Sequence, residues 1–200
     1  MVKKSLQKIY LTFQLNIFYI LDKIKDTMKK LTFIFTLLFF GMISAQENFE
    51  LTTLRIGAYK IFMKADDAEK LAQKKLQIFE EWEKSNSVSV NGEKIEIKLQ
   101  NTYISEKEPS KLAIYSLSTK SAKFRTKSGI GVGSTKDELI VAYKNYPNFS
   151  VHQGWDDKGE NRSKTISYFN LSDSDAATEL SFKLENNIVT EVSVYINEGC

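Results

Sequence analysis

The sequence predicts an α+β protein of two related halves, each a helix packed on a small antiparallel sheet. Three observations carry that expectation. Two helical stretches, opening near Asp66 and Lys136, stand about 70 residues apart. Each is followed by segments whose apolar residues alternate with the two-residue period of a strand. Turn signals separate those segments, and Asn91-Gly92 is the clearest, because it supplies both positive-φ positions of a type I′ hairpin turn. The order strand, helix, strands therefore occurs twice, which divides residues 46–122 from residues 123–200 as first and second helix-plus-sheet halves.

The first half opens with strand-type spacing from Thr53 to Tyr59, followed by Lys60-Ile61-Phe62-Met63. Asp66 or Asp67 then leads a helix expected to run through about Lys84. Ala68, Leu71, Ala72, Leu76, Phe79 and Trp82 recur at intervals of three and four. Acidic residues in the first turn favour that start through the helix dipole. The hairpin pairs Val88–Val90 with Ile95–Leu99, and Leu112–Thr119 follows a polar loop around Pro109. In the second half a helix from Lys136 to about Tyr146 buries Leu139, Ile140 and Tyr143. Ser134 with Asp137, or Thr135 with Glu138, forms its capping box. Strands are expected around Phe149–Gln153, Lys164–Asn170 and Glu179–Leu184. The last of these is joined to Val189–Ile196 by a hairpin-like turn at Glu185-Asn186-Asn187.

Ahead of these elements lies a secretory signal. Met28-Lys29-Lys30 precedes an apolar run from Leu31 to Ala45, and the polar sequence begins at Gln46. The simplest account starts translation at Met28, makes residues 1–27 an upstream non-native extension, and removes residues 28–45 as the signal peptide. The rival account keeps residues 1–27 as a leader or a membrane-lying helix. Neither the apolar run from Ile9 to Leu21 nor that from Leu31 to Ala45 reaches the roughly 20 residues that a membrane span needs, so no stable span is expected after cleavage. The mature protein is expected in the periplasm or outside the cell.

Removing the leader changes the charge. Residues 1–45 hold seven of the 28 basic residues and two of the 25 acidic ones, leaving 21 basic against 23 acidic. The net charge of +3 thus belongs to the precursor, and nucleic acid is not an expected partner. Cys200 is the single cysteine, which excludes a disulfide scaffold; it is read as incidental to a free terminus. With one His and one Cys, a zinc site has too few of its usual ligands. The sequons at Asn148, Asn161 and Asn170 are read as chance matches in a chain rich in Asn and Ser.

Gly129, Gly131 and Gly133 precede the second helix, where an anion could meet free amides. The G-x-G-x-G spacing lacks the last interval of the dinucleotide fingerprint, and no Gly-Lys-Ser/Thr follows. A tight turn bringing strand onto helix is favoured, and no cofactor is expected. The run Gly131-Val132-Gly133-Ser134-Thr135-Lys136-Asp137-Glu138-Leu139, with Phe182-Lys183-Leu184 and Val189-Thr190-Glu191-Val192, resembles the repeat of beta-lactamase-inhibitory-protein-like domains. It is also similar to outer-membrane assembly lipoproteins of the SmpA/OmlA type. Ile61-Phe62-Met63-Lys64-Ala65-Asp66-Asp67-Ala68 is a degraded counterpart in the first half, and the order of elements matches over residues 52–196. The resemblance implies a sheet surface that binds another protein without catalysis. The chain departs from the lipoproteins in having no lipid-accepting cysteine near Ala45.

Tyr115, Trp155, Tyr168 and Tyr195 are the candidate partner-binding residues, because Trp and Tyr dominate interface hot spots. Trp155 is read either as such an anchor or as core. Asp156, Asp157 and Glu160 surround Gly159 with oxygen ligands, a candidate calcium site that Lys158 opposes and whose spacing is not that of a helix–loop–helix calcium loop. No catalytic residue is assigned. His152, near Ser150 and Asp156, is read as a surface or sheet-edge residue, since such close positions rarely assemble a nucleophile, a base and a carboxylate. The expected function is an exported, non-catalytic binding module contacting an envelope or secreted protein through its sheet. One alternative is an exported small-ligand or calcium-responsive module, and the other is a secreted hydrolase centred on His152.

Overall fold

The computed structural model describes residues 49–81, 83–103, 109–156 and 158–197, together with Lys25 and Met28. The segment after Met28 that the sequence predicts as a signal, together with Trp82, Asp157 and Cys200, lies outside the described residues. Nine strands and two short helices are present among the described residues, in the order β1 (Arg55–Ile56), β2 (Tyr59–Lys60), α1 (Ala65–Ala72), β3 (Asn86–Val90), β4 (Glu93–Thr102), β5 (Lys111–Thr119), α2 (Lys136–Tyr143), β6 (Phe149–Trp155), β7 (Arg162–Asp173), β8 (Thr178–Glu185) and β9 (Ile188–Ile196).

The α+β expectation of two halves is corrected by this architecture. Among the described residues the protein is mostly β, with 48% strand against 12% helix, and seven strands form one continuous sheet. The order across it is β3-β4-β5-β9-β8-β7-β6, antiparallel throughout, and β1-β2 form a small separate ribbon. The two halves do not own separate sheets because β5 pairs with β9 from Ser116↔Tyr195 to Thr119↔Val192. That junction satisfies edges that would otherwise stay open.

The apolar alternation explains which face is covered. Leu117, Phe169, Phe182, Val192 and Val194 point into one buried cluster, together with Ala65 and Ala68 of α1 and Leu139 of α2. Tyr143 of α2 sets its ring 6.1 Å from Phe169 and 6.4 Å from Phe182. Both helices therefore belong to the same side of the sheet.

Each helix is shorter than the periodicity predicts. α1 stops at Ala72 because Gln73 turns left-handed (φ 53) and donates its amide to the Glu69 and Lys70 carbonyls. Glu69 then accepts from the Leu76 amide at 3.0 Å, and Asn86 clamps both backbone groups of Gln77 at 2.8 Å. The chain past Gln73 is held along β3 instead of winding on. Leu76 is buried from this extended segment, whereas Leu71, assigned to the helix's inner stripe, is 46% exposed. α2 stops at Tyr143, and Ile140 lies on its exposed side. The strand expected over Thr53–Tyr59 is instead the β1-β2 ribbon, folded back at Gly57 (φ 57).

The turn chemistry follows the sequence more closely. Asn91 (φ 50) and Gly92 (φ 87) form the β3-β4 turn, and Asn186 and Asn187 (φ 52 and 66) form the β8-β9 turn. Thr135 and Glu138 make the capping box: the Glu138 amide donates to Thr135 Oγ1 and the Thr135 amide to Glu138 Oε2. Among the described residues no helix is long and apolar enough to cross a membrane.

Candidate functional site

Among the described residues no element packs over the sheet face opposite the helices, and cross-strand register organises this face into rows. Ser150 faces Asn170, Asn170 faces Ser181, Ser181 faces Ser193, and Ser193 faces Ser118. This row of small polar side chains crosses β6, β7, β8, β9 and β5. On one side runs a row of larger groups: His152 opposite Tyr168, then Lys183 and Glu191. On the other side run Glu179, Tyr195, Ser116 and Lys98. Small residues between two large rows make a trough. A depression of about 720 Å³ occupies it, and Tyr115, His152, Tyr168, Asn170, Ser181 and Tyr195 are among its lining residues.

The trough is internally bonded. Ser181 Oγ donates to Asn170 Oδ1 at 2.8 Å, which lets both polar side chains stay buried in its floor. The His152 and Tyr168 rings stack at 5.5 Å with 22° between their planes. Tyr195 donates its hydroxyl to Glu179 Oε1, and Ser172 Oγ donates to Glu179 Oε2 at 2.9 Å. Burial, then the bond to Glu179, pushes the Tyr195 phenol up from its ordinary value. A neighbouring depression of about 790 Å³ over β3, β4 and β5 is lined by charges that are paired, Lys94 with Glu96 at 2.6 Å and Lys120 with Glu191 at 3.7 Å.

Three of the four candidate aromatics, Tyr115, Tyr168 and Tyr195, thus meet around one trough together with His152. Trp155 does not line it. Trp155 is 53% exposed at the end of β6, and the Arg162 guanidinium sits 4.2 Å over its ring. The reading of Trp155 as core is therefore excluded.

No family model, curated protein or solved structure matches the chain.

The acidic loop has a structural occupation. Asp156 Oδ1 accepts from the Glu160 amide at 3.0 Å, Asp156 Oδ2 accepts from Asn161 Nδ2 at 3.2 Å, and the Asp156 amide donates to the Asn161 carbonyl. Desolvation acts to raise the Asp156 carboxyl, but the hydrogen bonds from Glu160, Asn161 and Lys158 outweigh it and hold the group low. These bonds close the hairpin tip between β6 and β7. Asp157 lies outside the described residues, and among those described no group of three potential ligands gathers to hold a metal. Asp156 is likewise turned into its own loop, away from a role as the carboxylate partner of His152.

The glycine segment is a tight turn. A Cβ on Gly131 would meet the Phe124 carbonyl oxygen at 2.3 Å, so only glycine allows the backbone this close. The Lys136 amide donates to the Asn187 carbonyl and the Gly133 amide to the Val189 carbonyl, at 2.9 and 2.8 Å. At the start of α2 the Lys136 amide is thus committed to the β8-β9 hairpin, and those of Glu138 and Leu139 to Thr135.

Sequence reasoning missed Ser118, Asn170, Ser181 and Ser193. Their signal was present, since Asn170, Ser181 and Ser193 each sit between two apolar core residues, and Ser118 between Leu117 and buried Thr119, and must face the other way. Only the register across five strands brings them into line.

Proposed function

We propose that the protein is an exported, non-catalytic binding module that holds an envelope or secreted protein across the open face of its sheet. The observation that carries this reading is the trough, with small polar residues along its floor and tyrosines on both flanks. Tyrosine offers large contact area at low entropic cost, together with a hydroxyl for polar partners. The Met28–Gln46 stretch supports export, and the resemblance to beta-lactamase-inhibitory-protein-like repeats supports a protein ligand.

Two measurements test it. N-terminal sequencing of the protein from fractions of its own cells should find a chain beginning at Gln46. A chain that keeps Met28 in the membrane overturns export. A photo-crosslinking residue at Tyr168 should then capture a partner that the same residue at exposed Val141 does not, and Tyr168→Ala should weaken binding of that partner by at least about tenfold. Equal capture from both positions overturns the trough as the binding surface.

A further inference from the structure

The floor of the trough holds a buried donor with nothing to bond. Asn170 is 7% exposed, and its Oδ1 accepts from Ser181 Oγ at 2.8 Å, but its Nδ2 meets no acceptor among the described residues. Glu179, on the next strand, has both oxygens taken, by the Tyr195 hydroxyl and by Ser172. A buried N–H left unpaired costs about 1–3 kcal/mol once water is shut out, so an occupant that seals the trough must bring an oxygen to Asn170. The flanks are set in advance. The Tyr168 ring stacks on His152 and lies over Gly154, where a Cβ would stand 3.0 Å from the ring's Cε2. On β5, Lys98 pairs with Ser116 and Leu99 with Ile114, so Tyr115 is the extra residue of a bulge that adds its side chain to the trough lining.

Resting on the reading of the trough as a protein-binding surface, we propose that it takes a proline-rich segment of the partner in the polyproline II conformation, with a backbone carbonyl of that segment accepting from Asn170 Nδ2. The floor row runs across the strands, from Ser150 of β6 to Ser118 of β5, whose backbones are paired with one another. A segment lying there cannot add as a strand, so its own N–H groups would lose water without gaining a ladder. Polyproline II suits this place, because it has no internal hydrogen bonds, its carbonyls are free to accept, and each proline lacks the N–H. Grooves lined by aromatic side chains are where such segments dock, since the preformed conformation loses little entropy. Size agrees. The flanking rows stand four residues apart on each strand, as Tyr168 and Ser172 do, about 13 Å between Cα positions. Side chains on both rows narrow that below the about 10–12 Å of a helix and leave room for one extended chain. The five strands span about 19 Å, the length of about six residues at about 3.1 Å each.

The test is an NMR titration of the isotope-labelled protein, purified as its cells process it, with hexaproline. The side-chain amide signals of Asn170 and the backbone amides of Ser181 and Ser193 should shift saturably, with a dissociation constant below about 1 mM, and a glycine–serine hexapeptide should leave them in place. Asn170→Asp, which replaces the donor with an acceptor of the same shape, should raise the dissociation constant at least about tenfold with an unchanged circular dichroism spectrum. The wild-type shifts need no variant, so they decide the matter even where Asn170→Asp disturbs folding. Signals that hexaproline does not move, shifts confined to residues outside the trough, or a folded Asn170→Asp protein that binds as tightly as the wild type each overturn the proposal. So does an N-acetylglucosamine hexamer that moves the Asn170 signals where hexaproline does not. The photo-crosslinker at Tyr168 separates the two claims: capture of a partner without any response to hexaproline overturns the proline-rich segment and leaves the protein-binding surface standing.

Discussion

Tyr195 ties the open face to the ionisation of the whole protein. Burial, and then its hydrogen bond to Glu179, raises the phenol above its ordinary value, so the native state keeps this proton longer than the unfolded chain does. The stabilisation is fully present below about pH 10 and is lost as pH rises through the higher folded-state value. Tyr195→Phe should therefore flatten the fall of melting temperature above about pH 10, while costing about 1 kcal/mol at neutral pH through the lost bond. Tyr59, Tyr143 and Tyr146 are raised as well, each first by burial, so the alkaline slope should shrink without vanishing. A thermal melt series across alkaline pH checks both parts. Gly131 makes a second point at this scale. Because its Cβ position is filled by the Phe124 carbonyl, Gly131→Ala should lower stability by about 1–3 kcal/mol in a urea titration.

Elements were legible wherever a local rule sets them. Asn91-Gly92 adopts the two positive φ values its turn requires, and the alternation of Leu180 to Leu184 and of Val192 to Ile196 predicts β8 and β9. Thr135 and Glu138 cap α2 as their spacing requires, and Thr135→Ala should cost about 1 kcal/mol, read from the shift in urea midpoint. The stretch from Gln73 to Lys84 was misread for a physical reason. Its three-and-four spacing is real, but an isolated helix of that length is marginal in water and yields to tertiary bonds. Glu69, Lys74 and Asn86 supply those bonds and lay the segment along β3. The Asp156 loop was misleading in another way: carboxylates around a glycine look alike whether they await a cation or close a turn, and here the backbone amides of the same loop occupy them.

At the scale of the molecule, one sheet replaces two. If the halves were independent, a core deletion in one would leave the other's unfolding in place. Because β5 and β9 pair at the centre, Ile97→Ala at one end and Phe182→Ala at the other should lower the same single transition. The expected losses are about 2–5 and 3–5 kcal/mol, with coincident curves by circular dichroism and tryptophan fluorescence. Two separate transitions would restore the two-halves reading.

The sequence by itself determined the strands from Asn86 onward, their turns and the start of both helices, because each follows from periods of two or 3.6 residues and from local turn chemistry, whereas the buried face of each helix was read only in part, as exposed Leu71 and Ile140 show. It also singled out Tyr115, Tyr168 and Tyr195. Tertiary structure alone decided that the strands form one sheet, that α1 ends at Ala72, and that the serines and tyrosines converge on one trough. Those facts depend on register between strands far apart in the chain, such as Ser118 with Ser193, and no local period encodes them.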